Sequence, residues 1–171
     1  MNSAMKPPTD ETVAQLFGAH SRALLLYARQ WTDAAGAEDV VQRVFVRMLS
    51  GGRIPTEPRT WLFRCVRNEA ISAARSNRRR QQREQATSQS APAWFVPQAD
   101  DRIDAALAQE ALRSLAPEQR EIVALRIWSG LTLAQISEVI GMPVSSVHHQ
   151  FNLAMKTLRE RLEATCPKNK T

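Results

Sequence analysis

The segment from residue 115 to 162 carries the sequence signals of two short helices, a tight turn and a longer third helix. Thr132 can cap the middle helix, and Gln135, three residues later, completes a capping box. Gly141 suits the positive φ angle that follows many helix ends, and Pro143 then discourages helical continuation. These signals predict a helix-turn-helix, a geometry that leaves its third helix exposed to a DNA groove or to a partner.

The third helix of this motif has a predicted inner and outer face. Leu131 and Ile136 are spaced as a hydrophobic staple at the start of the middle helix. Helical periodicity predicts a buried side made of Val147, Phe151, Ala154, Leu158 and Leu162. The outward side is then Ser145, His149, Asn152 and Lys156, flanked by Ser146 and His148.

Composition favours an all-α chain with a basic first half. Hydrophobic residues make up 43% of the 171 residues, enough for a real core, while aromatic residues are only 6% and alternating β-branched patterns are scarce. The net charge of +6 comes entirely from residues 1–84, since acidic and basic residues balance in 85–171. A polyanion-binding surface is therefore predicted in the first half, the alternative being a solvated basic face.

No catalytic, metal-binding or membrane-spanning signal stands out. Cys65 and Cys166 lie far apart, and no Cys/His cluster has zinc-site spacing, so we expect a reduced intracellular chain without metal or cofactor. No apolar run reaches membrane-spanning length, and the N-terminus lacks a signal-peptide core, which points to the cytoplasm. The histidines have no partners at functional spacing, and phosphate-binding glycine loops and nucleophile elbows are absent. An enzyme is therefore not expected.

The chain divides into two small helical domains joined by a flexible linker. Residues 1–11 are a polar arm, 12–83 the first domain, 84–101 a Ser-, Gln- and Pro-containing linker, 102–164 the second domain and 165–171 a tail. The apolar triplet Trp94-Phe95-Val96 interrupts the linker, and it can pack either on the chain itself or on a partner. Helix is expected to resume near Arg102, with inward-facing Ile103, Leu107, Leu112 and Leu115.

Three helices are predicted in the first domain. The first carries apolar residues at helical spacing: Val13, Leu16, Phe17, Leu24, Tyr27 and Trp31. The second spans about Ala37 to Leu49, ends at Gly51-Gly52, and buries Val40, Val41, Val44, Phe45, Met48 and Leu49. The third starts near Pro58, a suitable first-turn proline, and has an apolar side of Trp61, Leu62, Cys65 and Val66.

Seven arginines lie between residues 64 and 83, and only Glu69 opposes them within that window. Guanidinium groups bind phosphates in a forked geometry and stack on bases. Trp61 and Phe63, just upstream, would add aromatic surfaces beside this positive field. Such a mixture suits single-stranded nucleic acid, where stacking and charge act together. The simpler interpretation places Trp61 in the helical core.

Three ordered blocks resemble the bacterial sigma-70 family, in its extracytoplasmic-function group. The block at 37–49, AEDVVQRVFVRML, is similar to region 2.2 of that family. The block at 59–80, RTWLFRCVRNEAISAARSNRRR, resembles regions 2.3 and 2.4. The block at 115–147, LAPEQREIVALRIWSGLTLAQISEVIGMPVSSV, resembles region 4. The likeness spans about Val13–Arg80 and Ile103–Leu162.

The resemblance implies two all-helical domains that bind core RNA polymerase and promoter DNA, with contacts to the β′ clamp helices and the β subunit. Asp39, Gln42 and Phe45 match the core-binding motif, although Phe45 is also expected in the core; Arg43 stands where the family usually has an acidic residue. Asn68 matches the family's asparagine near the pocket for a flipped minus-ten base. The implied minus-ten residues are Trp61, Arg64, Arg67, Asn68, Arg75, Arg78, Arg79 and Arg80.

Region 4 departs more from the family pattern. The family usually has Lys or Arg where this chain has His148, Gln150, Leu153 and Met155, so the outer face is nearly neutral and its phosphate affinity should be weak. The implied minus-thirty-five contacts are Ser145, Ser146, His148, His149, Asn152 and Lys156. Regulation by an anti-sigma factor is common in the family, and no residue here requires one.

Two other functions fit parts of the sequence. A helix-turn-helix regulator would bind duplex DNA without polymerase, and a need for core polymerase before specific promoter binding would separate it from a sigma factor. A helical interaction protein would use its third helix only for packing, and the neutral outer face favours that alternative.

Overall fold

The computed structural model describes residues 9–51, 54–84 and 110–165, and these residues form helices and connecting turns without any β-strand. The helices are α1 Asp10–Ala28, α2 Ala34–Ser50, α3 Pro58–Glu84, α4 Pro117–Ile127, α5 Leu133–Ile140 and α6 Val144–Thr165. The chain forms two compact units, Met1–Ala93 and Trp94–Thr171. No helix among the described residues is long and apolar enough to cross a membrane. The predicted all-α architecture is confirmed.

In the first unit, α1, α2 and α3 each pack against the other two. The core is formed by fully buried side chains from all three helices: Leu24, Val40, Val44, Leu62, Phe63 and Val66. Two edge-to-face aromatic pairs join the helices, Phe17 to Phe45 at 5.0 Å and Tyr27 to Phe63 at 5.5 Å between ring centroids. Because such pairs favour one relative orientation of the rings, they help to fix α1 on α2 and on α3.

Side-chain caps set the starts of α1 and α2. The Thr9 hydroxyl accepts a hydrogen bond from the backbone of Thr12, so α1 begins inside the predicted arm of residues 1–11. Asp33 accepts from the Gly36 amide at 2.9 Å, and α2 therefore begins at Ala34, earlier than predicted. Gly51 follows α2 as expected, and its φ of −77° is right-handed rather than left-handed.

Several predicted core residues have a different environment. Leu49 and Leu162 are exposed, with 44% and 45% of their surface accessible. Both lie near a helix end, where the apolar stripe runs beyond the helices that cover it. Phe17 is 45% exposed although its ring edge packs on Phe45. Trp31 lies in the turn after α1 rather than in the helix. The linker with Trp94-Phe95-Val96, and Ile103 and Leu107, lie outside the described residues.

The helix-turn-helix signals of the second unit are confirmed. Thr132 and Gln135 form the reciprocal capping box at the start of α5, and Gly141 has a φ of 74° after its end. Leu131 and Ile136 are both fully buried, as their predicted staple requires. Arg126 donates to the carbonyl of Leu131 at 2.9 Å, which fixes the connection between α4 and α5. These contacts set how α6 follows α5.

Arg120 of α4 forms hydrogen bonds to the segment of residues 112–115 that precedes this helix. Its guanidinium donates hydrogen bonds of 3.0, 3.0 and 2.9 Å to the carbonyls of residues 112, 113 and 115. These carbonyls belong to a helical turn and its end, and the carbonyl of Leu112 also accepts from the Leu115 amide at 3.2 Å. Leu115 packs with Val123 of α4 and Ala154 of α6 in the core of this unit. The predicted inward direction of Leu115 is thereby confirmed.

Candidate functional surfaces of the two units

The outer face of α2 combines polar and apolar side chains. Asp39 and Gln42 are exposed, whereas Phe45 is buried with 5% of its surface accessible, as expected for a core residue. Val46 lies one turn beyond Gln42 on the outer face and is 60% exposed. Leu49 continues this face. The result is a small apolar strip beside two polar groups, a composition typical of protein contacts.

An ion-pair cluster connects α2 with α3. Glu69 of α3 accepts from Arg43 at 3.0 Å and from Arg47 at 3.1 Å, one arginine on each carboxylate oxygen. Because Arg43 and Arg47 are more than half exposed, each pair stabilises the fold only modestly. Glu69 therefore forms its ion pairs with α2. The sequence instead predicts that Glu69 opposes the arginines of its own helix, α3. The carboxylate of Glu69 therefore offsets the positive charge of Arg43, which stands where the family usually has an acidic residue.

Cys65 lies beside this cluster and is half-buried. Burial raises the pKa of the Cys65 thiol, and Glu69 raises it further, while Arg47 and Arg64 act in the opposite direction. A neutral thiol is a poor nucleophile and a poor metal ligand. The predicted packing role of Cys65 agrees with this environment.

The exposed side of α3 carries a basic stripe. Arg64, Asn68, Arg75 and Arg79 are all exposed and follow one another at intervals of four, seven and four residues, which places them on one face. That face lies opposite the buried residues Leu62, Val66 and Ala70. From Arg64 to Arg79 the stripe extends about 22 Å, given the rise of a helix. An anionic chain can run along it.

The other predicted minus-ten residues occupy different positions. Trp61 is half-buried at the start of the basic stripe, and Arg67 is half-buried on the side of α3. Arg78 and Arg80 are exposed beyond the part of α3 that the other helices cover. Phe63 is fully buried against Tyr27, so the prediction that it offers a surface for stacking is wrong. Its place in the helical repeat points it toward α1.

On α6, the predicted outer residues are exposed. Ser145, His148, His149, Asn152 and Lys156 are all accessible, and Ser146 is half-buried. Asn152 Nδ2 lies 3.1 Å from His148 Nδ1. Lys156 makes only a long, exposed ion pair with Glu160, at 3.9 Å. The face is polar and weakly charged, as the sequence predicts.

Gln150 stands at a position where the family usually has a basic residue. Its side-chain oxygen accepts from Gln119 of α4 at 3.1 Å, and Gln150 is half-buried. This residue therefore helps to hold α6 on α4 and does not join the outer face. Within the described ranges, no group of three or more His, Cys, Asp or Glu side chains could hold a metal ion.

Comparison with known proteins accounts for this combination of surfaces. Residues 16–80 match the model of sigma-70 region 2, and residues 105–158 match that of sigma-70 region 4. The chain is 30% identical over 154 residues to the ECF RNA polymerase sigma factor SigL of Mycobacterium tuberculosis, covering 86% of this chain and 87% of that protein. The chain belongs to the ECF sigma factors of the sigma-70 family. It is a transcription initiation factor that works with core RNA polymerase.

Two further likenesses agree. The sigma factor is 30% identical over 146 residues to the RNA polymerase sigma-E factor of Streptomyces avermitilis, covering 83% of this chain and 80% of that protein. Its fold is similar to that of the sigma factor RpoE from Bartonella quintana, solved in complex with the anti-sigma factor NepR. That likeness has a TM-score of 0.72 and 23% identity, and it covers 88% of this chain and 96% of the other.

Three structural features of the sigma factor are not among the predictions made from the sequence. The Arg43–Glu69–Arg47 cluster joins residues more than twenty positions apart, and no local signal announces such a contact. The exposure of Val46 follows from its place one turn after Gln42, and a helical wheel of α2 would have found it. The His148–Asn152 pair has the four-residue spacing of helix neighbours. That spacing was available from the sequence alone.

Proposed function

We propose that the two outer faces of the first unit divide the work of the sigma factor. The α2 face, with Asp39, Gln42 and the neighbouring Val46, binds the clamp helices of the β′ subunit. The basic stripe on α3 binds the minus-ten strand, and Asn68 contacts a base flipped out of the duplex. The stripe is the observation that carries this proposal, because Arg64, Arg75 and Arg79 flank Asn68 along one exposed face.

The α6 face is proposed to read the minus-thirty-five element through Ser145, Ser146, His148, His149, Asn152 and Lys156. A recognition helix reads bases mainly with its N-terminal residues, and these positions lie in the first thirteen residues of α6. The weak charge of this face supports a division in which base contacts supply specificity while polymerase supplies proximity. Contact of the second unit with the β subunit is part of the same proposal.

The remaining proposals concern partners and chemistry. The factor has no catalytic activity of its own, because polymerase performs the synthesis, and it acts in the cytoplasm with polymerase and the chromosome. RpoE, which shares this fold, was solved with an anti-sigma factor, and we propose a regulator of this class here. The sequence alternative of a helix-turn-helix regulator that works without polymerase does not agree with membership in the ECF sigma factors.

Replacing Asp39 and Gln42 together by alanine should weaken association with core polymerase at least tenfold. Loss of one charged and one polar contact at a protein interface has an effect of this size. The measurement is titration of labelled core polymerase with the full chain. A Glu11→Ala, Gln15→Ala variant removes the same charge and amide from the exposed side of α1 and is the matched control. Wild-type affinity of the Asp39, Gln42 variant, with helicity unchanged, would exclude this face.

Asn68→Ala should lower the amount of open promoter complex several-fold without changing core binding. Flipping a base costs a few kcal/mol, and the lost amide contact leaves that cost uncompensated. Permanganate reactivity of thymines in the melted strand measures the open fraction. Asn77→Ala, an exposed asparagine of α3 that lies off the basic stripe, is the control. Equal reactivity of wild type and Asn68→Ala would remove Asn68 from the base contact.

A further inference from the structure

Arg43 has two carboxylates as potential partners, one on its own helix and one on α3. Asp39 precedes Arg43 by four residues on α2, so the two side chains are neighbours on the helix surface. An acid four positions before a base is also the favourable order for an ion pair within a helix. The structure nevertheless joins Arg43 to Glu69, with Nε 3.0 Å from Oε1. Within residues 9–51, 54–84 and 110–165, the carboxylate of Asp39 makes no ion pair.

The surroundings of Glu69 explain why Arg43 pairs across to α3. The side chain of Glu69 is only 22% exposed, whereas Asp39 lies on the exposed face of α2. Water and salt screen a partly buried pair less than a fully exposed one, so the guanidinium is held more strongly by Glu69. The second oxygen of Glu69 accepts from Arg47 at 3.1 Å, which holds the carboxylate in place between the two helices.

This arrangement bears on the proposed polymerase-binding face, because Asp39 is its charged member. The carboxylate of Asp39 can contact a partner only while no arginine of its own helix occupies its oxygens. If Arg43 paired with Asp39, that ion pair would have to break when polymerase docks, and the affinity for polymerase would fall. Pairing of Arg43 with Glu69 removes this competition.

We propose that Glu69 is a positioning residue for polymerase binding. It holds Arg43 against α3 and thereby keeps Asp39 available to the β′ clamp helices. This inference rests on the proposed role of the α2 face. It gives Glu69, which lies on α3 outside that face, an effect on core association that passes through Arg43 and Asp39.

Arg47 provides an internal comparison for this role. It has the same charge as Arg43, the same partner Glu69 and a similar exposure. Arg43 lies one turn from Asp39, whereas Arg47 lies eight residues and about 12 Å along the helix from it. Only Arg43 can therefore exchange Glu69 for Asp39. The difference separates competition for Asp39 from a general effect of the ion-pair cluster on the packing of α2 against α3.

The test is titration of labelled core polymerase with full-length variants of the factor. Glu69→Gln nearly keeps the shape of the side chain and removes its charge, and it should weaken core binding roughly two- to fivefold, the range for one exposed ion pair. Adding Arg43→Gln to Glu69→Gln should restore wild-type affinity, because no arginine then competes for Asp39. Adding Arg47→Gln instead should leave the affinity low. The two double variants have the same net charge as wild type.

The loss must also depend on Asp39 itself. In an Asp39→Asn chain, which already lacks the carboxylate, Glu69→Gln should cause no further loss of core binding. Glu138→Gln removes an exposed acid of α5 in the second unit, and it should bind core polymerase as wild type does. Circular dichroism and urea unfolding of each variant establish that it is folded under the conditions of the titration.

The outcomes separate this inference from the function on which it rests. If the Asp39→Ala, Gln42→Ala variant binds core polymerase like wild type, the proposed function of the α2 face fails and the role of Glu69 fails with it. If that variant binds weakly while Glu69→Gln keeps wild-type affinity, only the positioning role is overturned. Equal affinities of the two double variants, whether both restored or both low, would also overturn it, because Arg43 would then not be the residue through which Glu69 acts.

Discussion

Replacing Phe63 by alanine is expected to destabilise the first unit by about 3–5 kcal/mol. Phe63 is fully buried between α1 and α3 and packs edge-to-face on Tyr27, so its removal leaves a large cavity and deletes an aromatic contact. A loss of this size is a large part of the stability of a small domain. Urea unfolding of the full chain, followed by circular dichroism, measures it.

The matched control is Trp61→Ala, an aromatic substitution two residues earlier on the same helix. Trp61 is half-buried at the start of the basic stripe, so the cavity should be smaller and the stability loss well below that of Phe63→Ala. Its effect should fall on promoter opening, measured by permanganate reactivity at a temperature where the variant is folded. A Phe63→Ala protein with wild-type stability and reduced DNA binding would restore the stacking surface predicted from the sequence.

Replacing Arg78, Arg79 and Arg80 by glutamine should reduce the slope of log K against log salt concentration for promoter binding by about two to three. Each lost phosphate contact reduces the slope of log K against log salt by nearly one. All three residues are exposed at the end of α3, and glutamine keeps their helical propensity. The measurement is holoenzyme binding to a promoter fragment over a series of salt concentrations.

A control variant separates local contacts from overall charge. Glutamine at Arg22, Arg113 and Arg161 removes the same net charge from exposed positions that are scattered over both units and lie off the basic stripe and the outer face of α6. This scattered variant should change the slope by less than one, because distant charges are screened within about 10 Å. Equal changes in the two variants would mean that the arginines act only through the general field of the protein. An unchanged slope in the clustered variant would remove them from the DNA interface.

The local elements of this protein were predictable because their signals are local. The Thr132–Gln135 capping box and the αL residue Gly141 act within one turn of the chain, so they predict the helix-turn-helix without any tertiary contact. Helical periodicity likewise predicted the exposed residues of α6, including His149 and Asn152. The predicted start of α2 differs from the observed one, because apolar periodicity does not reveal the Asp33 cap.

What the tertiary structure decided was which groups face each other. Periodicity placed Leu49 and Leu162 on apolar stripes, but whether a stripe is covered depends on the length of the neighbouring helices. The sequence places Phe63 beside a nucleic-acid surface, whereas in the folded unit it is fully buried against Tyr27 of α1.

Glu69 shows the same limit for charges. In the sequence it is an acid among arginines of α3, whereas in the folded unit it binds Arg43 and Arg47 of α2. Local hydrogen-bond and periodicity rules therefore fixed the helices and the turn of the second unit. The partners of side chains far apart in sequence depend on the packing of whole helices, which no short window of the chain encodes.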